Sequence, residues 1–349
     1  MGCGFIGGAH SRALRALHRA GQADAPVVAV CDVDGERAQE FARANPGALA
    51  TTDAGAAMDE AEAVWICTPT ATHRALLEEA LGRGLAVYCE KPLATNLADA
   101  AAMAQAVMDA GVPHQVGLVL RASSVLQEVA RLVGPAGALG RTMTAILRDD
   151  QFFPIQGHYG STWRADVSVA GGGTLLEHSV HDLDLLCWLL GPVDAVMART
   201  ANFAGHPGVE DLAVATLSHV SGAASSLVSV WHEIMSRPST RRLEVFCERG
   251  YVWLDDEQAG PVHVERGDGA DVIETTGEED RFLAQLGIPT AWRGPLRLYL
   301  AADGDFLASV ASGRPPRPGF DDALVAHELA DAAYRSAATG GQPAAIALS

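Results

Sequence analysis

The sequence predicts an α/β fold in two parts: a parallel sheet with helices on both faces, followed by an α+β domain with an open, mainly antiparallel sheet. Three observations support this prediction. The 349 residues exceed one ordinary domain of roughly 100–200 residues, so two domains are expected. Short apolar runs alternate with amphipathic stretches over residues 1–120, and several strand-like runs follow one another over residues 195–254.

The first domain, residues 1–120, consists of alternating strands and helices. Four apolar runs are typical of buried parallel strands: Val27–Cys31, Ala63–Cys67, Ala86–Cys89 and Gln115–Leu120. Ala-rich amphipathic stretches predict the helices: Ser11–Ala20, Glu36–Ala44, Thr72–Arg83 and Leu97–Ala110. This alternation predicts β–α–β units with helices on both faces of one sheet.

The second domain, residues 121–349, begins with a helix, a strand, an irregular segment and another helix: Ser124–Val133, Arg141–Arg148, Asp149–Gly172 and Thr174–Leu190. Successive strand-like runs with short connections then predict an antiparallel sheet: Ala195–Phe203, Leu212–His219, Ala224–Trp231, Arg241–Phe246 and Tyr251–Leu254. Its outer face, with apolar residues such as Val214, Leu227, Val230 and Trp231, predicts a homo-oligomer contact. Two helices close the chain, Arg297–Ser312 and Asp321–Ala338, and the helix at 321–338 is a candidate to pack back on the first domain.

The acidic composition argues against nucleic acids and membranes as partners. A formal net charge of −18 would repel phosphates and anionic lipids. The chain opens on glycines and its apolar runs are short, so neither a signal peptide nor a membrane span is expected. The six cysteines form no C-x-x-C pair, which is typical of free thiols in a reducing compartment. We therefore expect a cytoplasmic protein.

A glycine-rich hexapeptide near the start fits the dinucleotide-binding pattern G-x-G-x-x-G: Gly2-Cys3-Gly4-Phe5-Ile6-Gly7. Such glycines let the backbone approach a pyrophosphate, which then rests on the positive end of the following helix. Asp32 ends the next predicted strand, where an acidic residue accepts hydrogen bonds from the adenosine ribose. Its charge would repel a 2′-phosphate, so we expect NAD in preference to NADP. The alternatives are an ordinary tight turn for the glycines and a helix cap for Asp32.

The first domain is thus predicted to be a Rossmann dinucleotide-binding domain, but its first strand is missing from the sequence as it stands. The fingerprint should follow a strand, and only Met1 precedes it. Either the functional start lies upstream or this form lacks its central strand. We expect an added upstream strand to raise the melting temperature and tighten NAD binding, because its neighbours otherwise keep unpaired edges. An acylation signal is disfavoured, because Ile6 stands where Ser or Thr is expected.

A second motif, Glu90-Lys91-Pro92, follows the predicted strand Ala86–Cys89. Ligands bind at the carboxyl ends of parallel strands in such sheets. Lys91 is the only lysine in the chain, against 24 arginines, which indicates a role that arginine cannot fill. The alternative is a surface charge pair before a helix.

The third motif is a run of glycines leading into a helix, from Gly171 to Asp184. Spacings of four and three place Glu177, His181 and Asp184 on one helical face, which predicts the wall of a pocket. A metal site formed by His178, His181 and Glu177 is disfavoured, because no further ligands converge in the sequence. A structural histidine at position 181 is the other alternative.

Together with Thr68-Pro69 and His73, these motifs resemble the glucose–fructose oxidoreductase / inositol dehydrogenase / MocA family, in the right order over nearly the whole chain. The resemblance implies Lys91 and His181 as the catalytic pair, assisted by Glu177 and Asp184. It places Arg121, Trp163 and Arg164 on the substrate side, with Glu177 and His181. The implied cofactor-binding residues are Gly2, Gly4, Phe5, Ile6, Gly7, Asp32, Thr68, Pro69, His73, Glu90 and Lys91. Glu177 stands where many members have Asp, and Ser179 where many have Gly.

The family implies reversible hydride transfer between a nicotinamide and a hydroxyl of a sugar, cyclitol or related polyol. The expected partners are NAD, a small polyol-type substrate, and further copies of the chain in a homodimer or homotetramer, with no resident metal. Two alternatives remain open: a non-catalytic dinucleotide sensor, and an NAD-assisted glycoside hydrolase on the same fold.

Overall fold

The computed structural model describes residues 1–134, 137–157 and 159–346. These residues form two compact units. The first contains Met1–Val119 and Phe282–Leu324; the second contains Leu120–Arg281 and the described residues from Val325 onward. Within the described chain, no helix combines the length and apolar character needed to cross a membrane.

The first unit begins with five helices and five strands in alternation. In chain order they are α1 (Phe5–Arg19), β1 (Ala29–Cys31), α2 (Gly35–Ala44), β2 (Leu49–Thr51), α3 (Ala54–Met58), β3 (Ala63–Ile66), α4 (His73–Gly82), β4 (Ala86–Cys89), α5 (Leu97–Ala110) and β5 (His114–Val116). The predicted alternation is confirmed. Helix α1 starts six residues earlier than predicted, and the short β2 and α3 were missed because neither is long enough to show a periodic pattern.

The parallel strands of the first unit form two separate sheets, β1–β2 and β3–β4–β5. Met1 and Gly2 lie between the facing edges of β1 and β3: the Gly2 N–H donates to Cys31 O at 2.9 Å, and the Cys67 N–H donates to Met1 O at 2.9 Å. The two edges line a cavity of about 830 Å³. Within residues 1–134 no further strand pairs with these edges, and the expected effect of adding one stays a prediction.

The core of the first unit lies around β3 and β4. Apolar residues of α4 and α5, such as Leu77 and Met103, pack there together with Phe320. A second cluster joins α1 to later parts of the chain, where Leu17 packs with Leu283 and Leu300. The first cluster thus holds β3 and β4 in place, and the second holds α1.

The second unit contains most of the remaining elements. They are α6 (Ser124–Val133), β6 (Thr142–Phe152), α7 (Val167–Ala170), α8 (Val180–Leu190), β7 (Val193–Ala201), β8 (Leu212–His219), β9 (Ala224–His232), β10 (Thr240–Cys247), β11 (Gly250–Leu254), β12 (Val262–Arg266) and β13 (Gly269–Ile273). The final elements of the chain are α9 (Gly277–Gln285), α10 (Thr290–Ser312), α11 (Phe320–Ala338) and β14 (Ala344–Ala345). The sequence analysis missed α7, β12, β13, α9 and β14.

Nine strands form one open sheet in the order β13-β12-β11-β10-β6-β9-β8-β7-β14. Among the described strands of this sheet, β6 and β9 are the one parallel pair. The predicted mainly antiparallel sheet is therefore confirmed. Leu227 and Trp231 face the core, contrary to their expected place on the outer face, because they alternate with Val228 and Val230 along β9.

The strand predicted at Arg141–Arg148 continues to Phe152, so the predicted irregular segment starts too early. The side chains of Asp149 and Asp150, at the start of the predicted irregular segment, are both buried. Asp149 lies 2.7 Å from Arg241 on β10, and the guanidinium compensates the negative charge of the buried carboxylate. The strand can therefore continue between β9 and β10.

Candidate active site

The fingerprint loop requires glycine at two of its positions. A Cβ on Gly7 would lie 2.0 Å from Gly2 O, and a Cβ on Gly2, whose φ is +84°, would lie 2.6 Å from Cys67 O. Both approaches are too close for any side chain. The turn from residue 2 into α1 is thus fixed by backbone packing.

The start of α1 fits a dinucleotide pyrophosphate. Gly4 is the N-cap, has no side chain to occupy the helix end, and a Cβ placed on it would meet no described atom within 4 Å. Phe5, Ile6 and Gly7 form the first turn, which contains no acidic residue. The positive end of the helix dipole and open space therefore coincide, as an anionic group needs.

Asp32 follows β1 and its side chain is buried. Its Oδ2 accepts the Cys3 N–H at 2.8 Å, and its Oδ1 accepts the Asp34 N–H at 2.9 Å. The cap of α2 is Asp34, so the alternative role of Asp32 as a helix cap is wrong. Asp32 holds the fingerprint loop, and the half-exposed Arg37 lies 3.7 Å from it.

Thr68, Pro69 and His73 connect the loops after β3 and β4. The buried His73 ring has Nε2 2.9 Å from Thr68 O and Nδ1 3.0 Å from Pro92 O. Burial lowers the pKa of His73, although these carbonyl contacts oppose the shift. Pro69 precedes a short 3₁₀ turn over Thr70–Thr72. His73 thereby holds the Thr68-Pro69 turn against the loop that carries Lys91.

Glu90 and Lys91 follow β4 directly. Glu90 is buried; its Oε1 lies 2.9 Å from Nε2 of His10, and its Oε2 accepts the Lys91 N–H at 3.2 Å. Nδ1 of His10 lies 2.7 Å from Asp303. The sequence analysis missed His10 as the partner of Glu90 and Asp303 as the partner of His10, since Asp303 lies 293 residues from His10. The only hint in the sequence was a histidine three residues after the fingerprint.

In the second unit, Glu210 caps the start of the glycine-rich histidine motif. Its carboxylate accepts the Gly173 N–H at 2.8 Å, the Leu175 N–H at 2.9 Å and the Tyr334 hydroxyl at 2.9 Å. Burial raises the pKa of Glu210, although these hydrogen bonds oppose the shift. A Cβ on Gly173 would lie 1.8 Å from Glu210 O, so that glycine is required. No local sequence pattern indicated a role for Glu210.

The motif forms one π-helical turn, Thr174–His178, followed by α8. The helix predicted over Thr174–Leu190 is therefore present but not uniform. Glu177, His181 and Asp184 are all at least nine-tenths buried. They lie in this second unit, whereas the fingerprint, Asp32 and Lys91 lie in the first.

Each carboxylate of the motif has an arginine partner. Arg164 Nε lies 2.8 Å from Glu177 Oε1, and the Arg164 guanidinium lies 4.5 Å from the centre of the Trp163 ring. Arg121 donates two hydrogen bonds to Asp184, at 2.9 and 2.6 Å. Two of the residues that the resemblance placed on the substrate side, Arg121 and Arg164, thus contact the motif itself, and Trp163 contacts Arg164. Arg164 compensates the charge of Glu177, and Arg121 compensates the charge of Asp184.

A second cluster of charged side chains includes His178 and Asp182 of the motif. Arg241 contacts Asp149 at 2.7 Å, Asp182 at 2.6 Å and Glu257 at 2.9 Å, and His178 contacts Asp149 at 2.7 Å. Burial favours a raised pKa for Asp149, but Arg241 and His178 outweigh it and hold that pKa below its ordinary value. Burial raises the pKa of Asp182 well above its ordinary value, against the influence of Arg241. In the described residues, no cluster of three or more His, Cys, Asp or Glu side chains has the arrangement of a metal site.

Comparisons with known proteins agree with these two parts. Residues 1–118 match the NAD-binding Rossmann fold of the GFO/IDH/MocA oxidoreductase family, and residues 126–253 match the GFO/IDH/MocA C-terminal domain. The chain is 28% identical to an inositol 2-dehydrogenase of Rhizobium meliloti, covering 97% of this chain and 96% of that protein. It is 31% identical to inositol 2-dehydrogenase 4 of Saccharopolyspora erythraea, covering 78% of this chain and 77% of that one.

A solved structure of levoglucosan dehydrogenase, in complex with NADH and levoglucosan, is also similar. The TM-score is 0.86 at 25% identity, and the match covers 99% of this chain and 97% of that one. Both domain matches occur in the order that the motifs predicted. From its fingerprint, its lysine and histidine motifs and these matches, the chain belongs to the GFO/IDH/MocA family of NAD-dependent oxidoreductases.

Proposed function

We propose that this protein catalyses the reversible NAD-dependent oxidation of a hydroxyl group on a sugar, cyclitol or related polyol. Relatives named inositol 2-dehydrogenase, D-apiose dehydrogenase and levoglucosan dehydrogenase support this substrate class. The start of α1 offers the geometry that a dinucleotide needs.

The observation that carries the proposal is the position of Lys91. A chain with 24 arginines has its only lysine at the carboxyl end of β4, next to the buried Glu90. Arginine serves surface charge and phosphate contacts equally well, so those roles do not explain the exception. A lysine ammonium is compact and reaches a single oxygen, as stabilisation of a developing alkoxide requires.

In the proposed reaction, His181 takes the proton of the substrate hydroxyl as general base. Lys91 donates a hydrogen bond to the same oxygen and stabilises its growing negative charge. The bound NAD⁺ supplies the acceptor for the hydride that leaves the carbinol carbon, so the alcohol becomes a carbonyl and NADH forms. His181 retains the proton until solvent or product takes it.

Glu177 and Asp184 orient His181 or the substrate. Because Arg164 and Arg121 compensate them, neither carboxylate needs a proton to remain in a buried environment. The bidentate geometry of Arg121 also fixes the Asp184 carboxylate in one orientation.

The test is a panel of polyols assayed for NADH formation, including myo-inositol, D-apiose and levoglucosan. For the substrate found, Lys91→Arg and Lys91→Ala should each lower kcat about 10²–10³-fold while leaving NADH affinity largely intact. Arg131→Lys, at an exposed ion pair, is the matched control and should keep normal turnover. Near-normal turnover in Lys91→Arg would contradict the catalytic assignment. NADH binding without turnover would favour a sensor, and glycoside cleavage without net NADH would favour a hydrolase.

The cofactor preference follows from Asp32. Its carboxylate would meet the 2′-phosphate of NADP with like charge, while Arg37, 3.7 Å away, would offset part of that repulsion. We expect kcat/KM to favour NAD, and Asp32→Ala to reduce the ratio. A preference for NADP in the unmodified enzyme would overturn this role for Asp32.

The outer face of the nine-stranded sheet supports a homo-oligomer. Five of its apolar side chains are at least 41% exposed: Ile146, Met197, Val214, Phe246 and Val272. We expect light scattering to show a dimer or tetramer at micromolar concentration. Val214→Asp should dissociate it, while Ser218→Asp near the end of the same strand should not. A stable monomer in the unmodified protein would contradict this proposal.

Location in the cytoplasm is the remaining proposal. All six cysteines of the chain are free thiols, which suits a reducing compartment. Fractionation of cells expressing the unmodified chain should recover its NADH-binding activity in the cytosolic fraction. Recovery mainly outside the cytosol would contradict it.

A further inference from the structure

His10 lies within α1 and is 1% exposed. Its Nδ1 is 2.7 Å from Asp303 Oδ1, and its Nε2 is 2.9 Å from Glu90 Oε1. The rings of Tyr88 and Tyr299 stand edge-on to it, with centroids 4.9 and 5.0 Å away. The imidazole is therefore enclosed, and its two polar contacts are both carboxylates.

This geometry determines the protonation of the ring. An ionised carboxylate only accepts hydrogen bonds, so both ring nitrogens carry a hydrogen when Glu90 and Asp303 are ionised. Burial raises the pKa of Asp303, and the adjacent His10 opposes that shift. Burial favours a lower pKa for His10, but Asp303 and Glu90 outweigh burial and raise that pKa well above its ordinary value. His10 is thus an imidazolium held between two carboxylates.

The hydrogen bonds continue beyond His10 in both directions. On one side, Trp65 Nε1 donates to Asp303 Oδ1 at 3.0 Å. On the other side, Glu90 Oε2 accepts the backbone N–H of Lys91 at 3.2 Å. One chain of contacts therefore links β3, α10 and α1 to the residue that precedes Lys91.

The Glu90 carboxylate also has little freedom to move. A Cβ on Gly117 would lie 2.5 Å from Glu90 Oε1, which shows how closely the backbone after β5 approaches it. Buried charges rarely stabilise a fold more than apolar residues of similar size would, but they permit only the arrangement that satisfies all of them. The cluster is therefore better suited to fixing a position than to adding stability.

We propose that His10 is a positioning residue: it holds Glu90 so that the backbone of Lys91 is fixed relative to α1, the helix whose open first turn fits a dinucleotide pyrophosphate. This inference rests on the proposed role of Lys91. Asp303 acts one step further away, by fixing the His10 ring. Neither residue needs to touch substrate or cofactor.

The single lysine allows a direct test. Protein labelled with ¹⁵N only in lysine has one backbone amide signal, that of Lys91, which is the group that donates to Glu90. Asparagine at position 10 can replace Nδ1 and reach Asp303, whereas glutamine can replace Nε2 and reach Glu90. We expect His10→Asn to displace or broaden the Lys91 signal and His10→Gln to restore most of it.

His18→Asn on the same helix is the matched control and should leave the signal unchanged, because its side chain is 44% exposed. Asp303→Asn is a second route to the same effect if His10→Asn does not fold. An unchanged signal in the folded His10→Asn and Asp303→Asn proteins would overturn the proposal, as would equal displacement in the glutamine and asparagine variants. These readouts need no substrate, so they stand apart from any failure of the proposed reaction.

Turnover provides the second measurement. On the polyol that the unmodified enzyme oxidises, His10→Asn should lower kcat by about tenfold to a hundredfold, since small misplacements of a catalytic group have effects of this size. In a Lys91→Ala background the same substitution should have no further effect on kcat. An equal loss in both backgrounds would show that His10 does not act through Lys91.

Discussion

The two units of the molecule each contain a buried group of charges, and the cations in them differ. In the first unit, the His10 cluster (His10, Glu90 and Asp303) places an imidazolium between two carboxylates. In the second unit, the Arg241 cluster places a guanidinium among three carboxyl groups: Asp149, Asp182 and Glu257. Both clusters lie next to residues of the candidate active site.

The difference lies in what each cluster can do when the pH changes. A guanidinium stays charged at every accessible pH, so the Arg241 cluster keeps its cation. An imidazolium can lose its proton, so the His10 cluster keeps its cation only below the folded-state pKa of His10. A permanently charged arginine therefore lies in the cluster next to the histidine motif, and a titratable histidine lies in the cluster next to Lys91.

The largest expected effect is the loss of Arg241. Arg241→Met should lower the free energy of unfolding by about 3–5 kcal/mol, because it leaves buried carboxylates without their cation. Arg242→Met is the control on the next residue of β10, where the side chain is 38% exposed and should contribute little. Chemical denaturation of both variants checks this. Equal losses would mean that burial does not distinguish the two arginines.

The His10 cluster should be less costly to break. His10→Leu should lower the free energy of unfolding by roughly 2–3 kcal/mol at neutral pH, since it removes two charge-assisted hydrogen bonds but the carboxyls left behind can take up a proton. The same denaturation experiment measures it. A loss larger than that of Arg241→Met would reverse the comparison.

The response to pH separates the clusters without mutation. The folded-state pKa of His10 is raised above its unfolded value, so its contribution is fully present below about pH 6.5 and is lost as the pH rises through the folded pKa. Hydrogen exchange, corrected for intrinsic rates, should show α1 losing protection at alkaline pH while β10 does not. A His10 ring that titrates below pH 6.5 by NMR would contradict this.

The smallest effect is expected at His178, the histidine at the edge of the Arg241 cluster. It contacts Asp149 at 2.7 Å, but its side chain is 17% exposed and Arg241 compensates the same carboxylate. His178→Leu should therefore lower the free energy of unfolding by only about 1 kcal/mol. If His178→Leu lowered the free energy of unfolding as much as His10→Leu does, then the placement of His10 between two carboxylates would not explain its larger contribution.

Some elements could be predicted because the residues at their own ends determine where they start and stop. Helix α5 was predicted with its observed bounds: Asn96 accepts the Asp99 N–H at 2.9 Å at its start, and Gly111, with φ of 63°, ends it. Strand β4 was likewise predicted at Ala86–Cys89. The hairpin of β12 and β13 was missed, because β13 is largely exposed and lacks the apolar alternation that predicts a strand.

In the candidate site too, some residues could be predicted from local sequence and others could not. The fingerprint, Lys91 and the histidine motif could be found because each is a short pattern with its own chemistry. Their partners could not be found, because His10 and Asp303, or Asp149 and Arg241, are far apart in sequence and each residue alone resembles an ordinary surface charge. Asp149 was assigned to an irregular segment, although it lies within β6, because nothing nearby in sequence shows that its charge is compensated.

By itself, the sequence determined the two-part fold, the family and the residues expected to bind NAD and move the proton and hydride, because periodicity and short motifs are local properties. Only the tertiary structure decided which charges are buried, which of them pair, and that Glu90 holds the Lys91 backbone while His10 holds Glu90. The physical reason is that a charge can be buried only where a partner from a distant segment compensates it, and the fold brings that partner there.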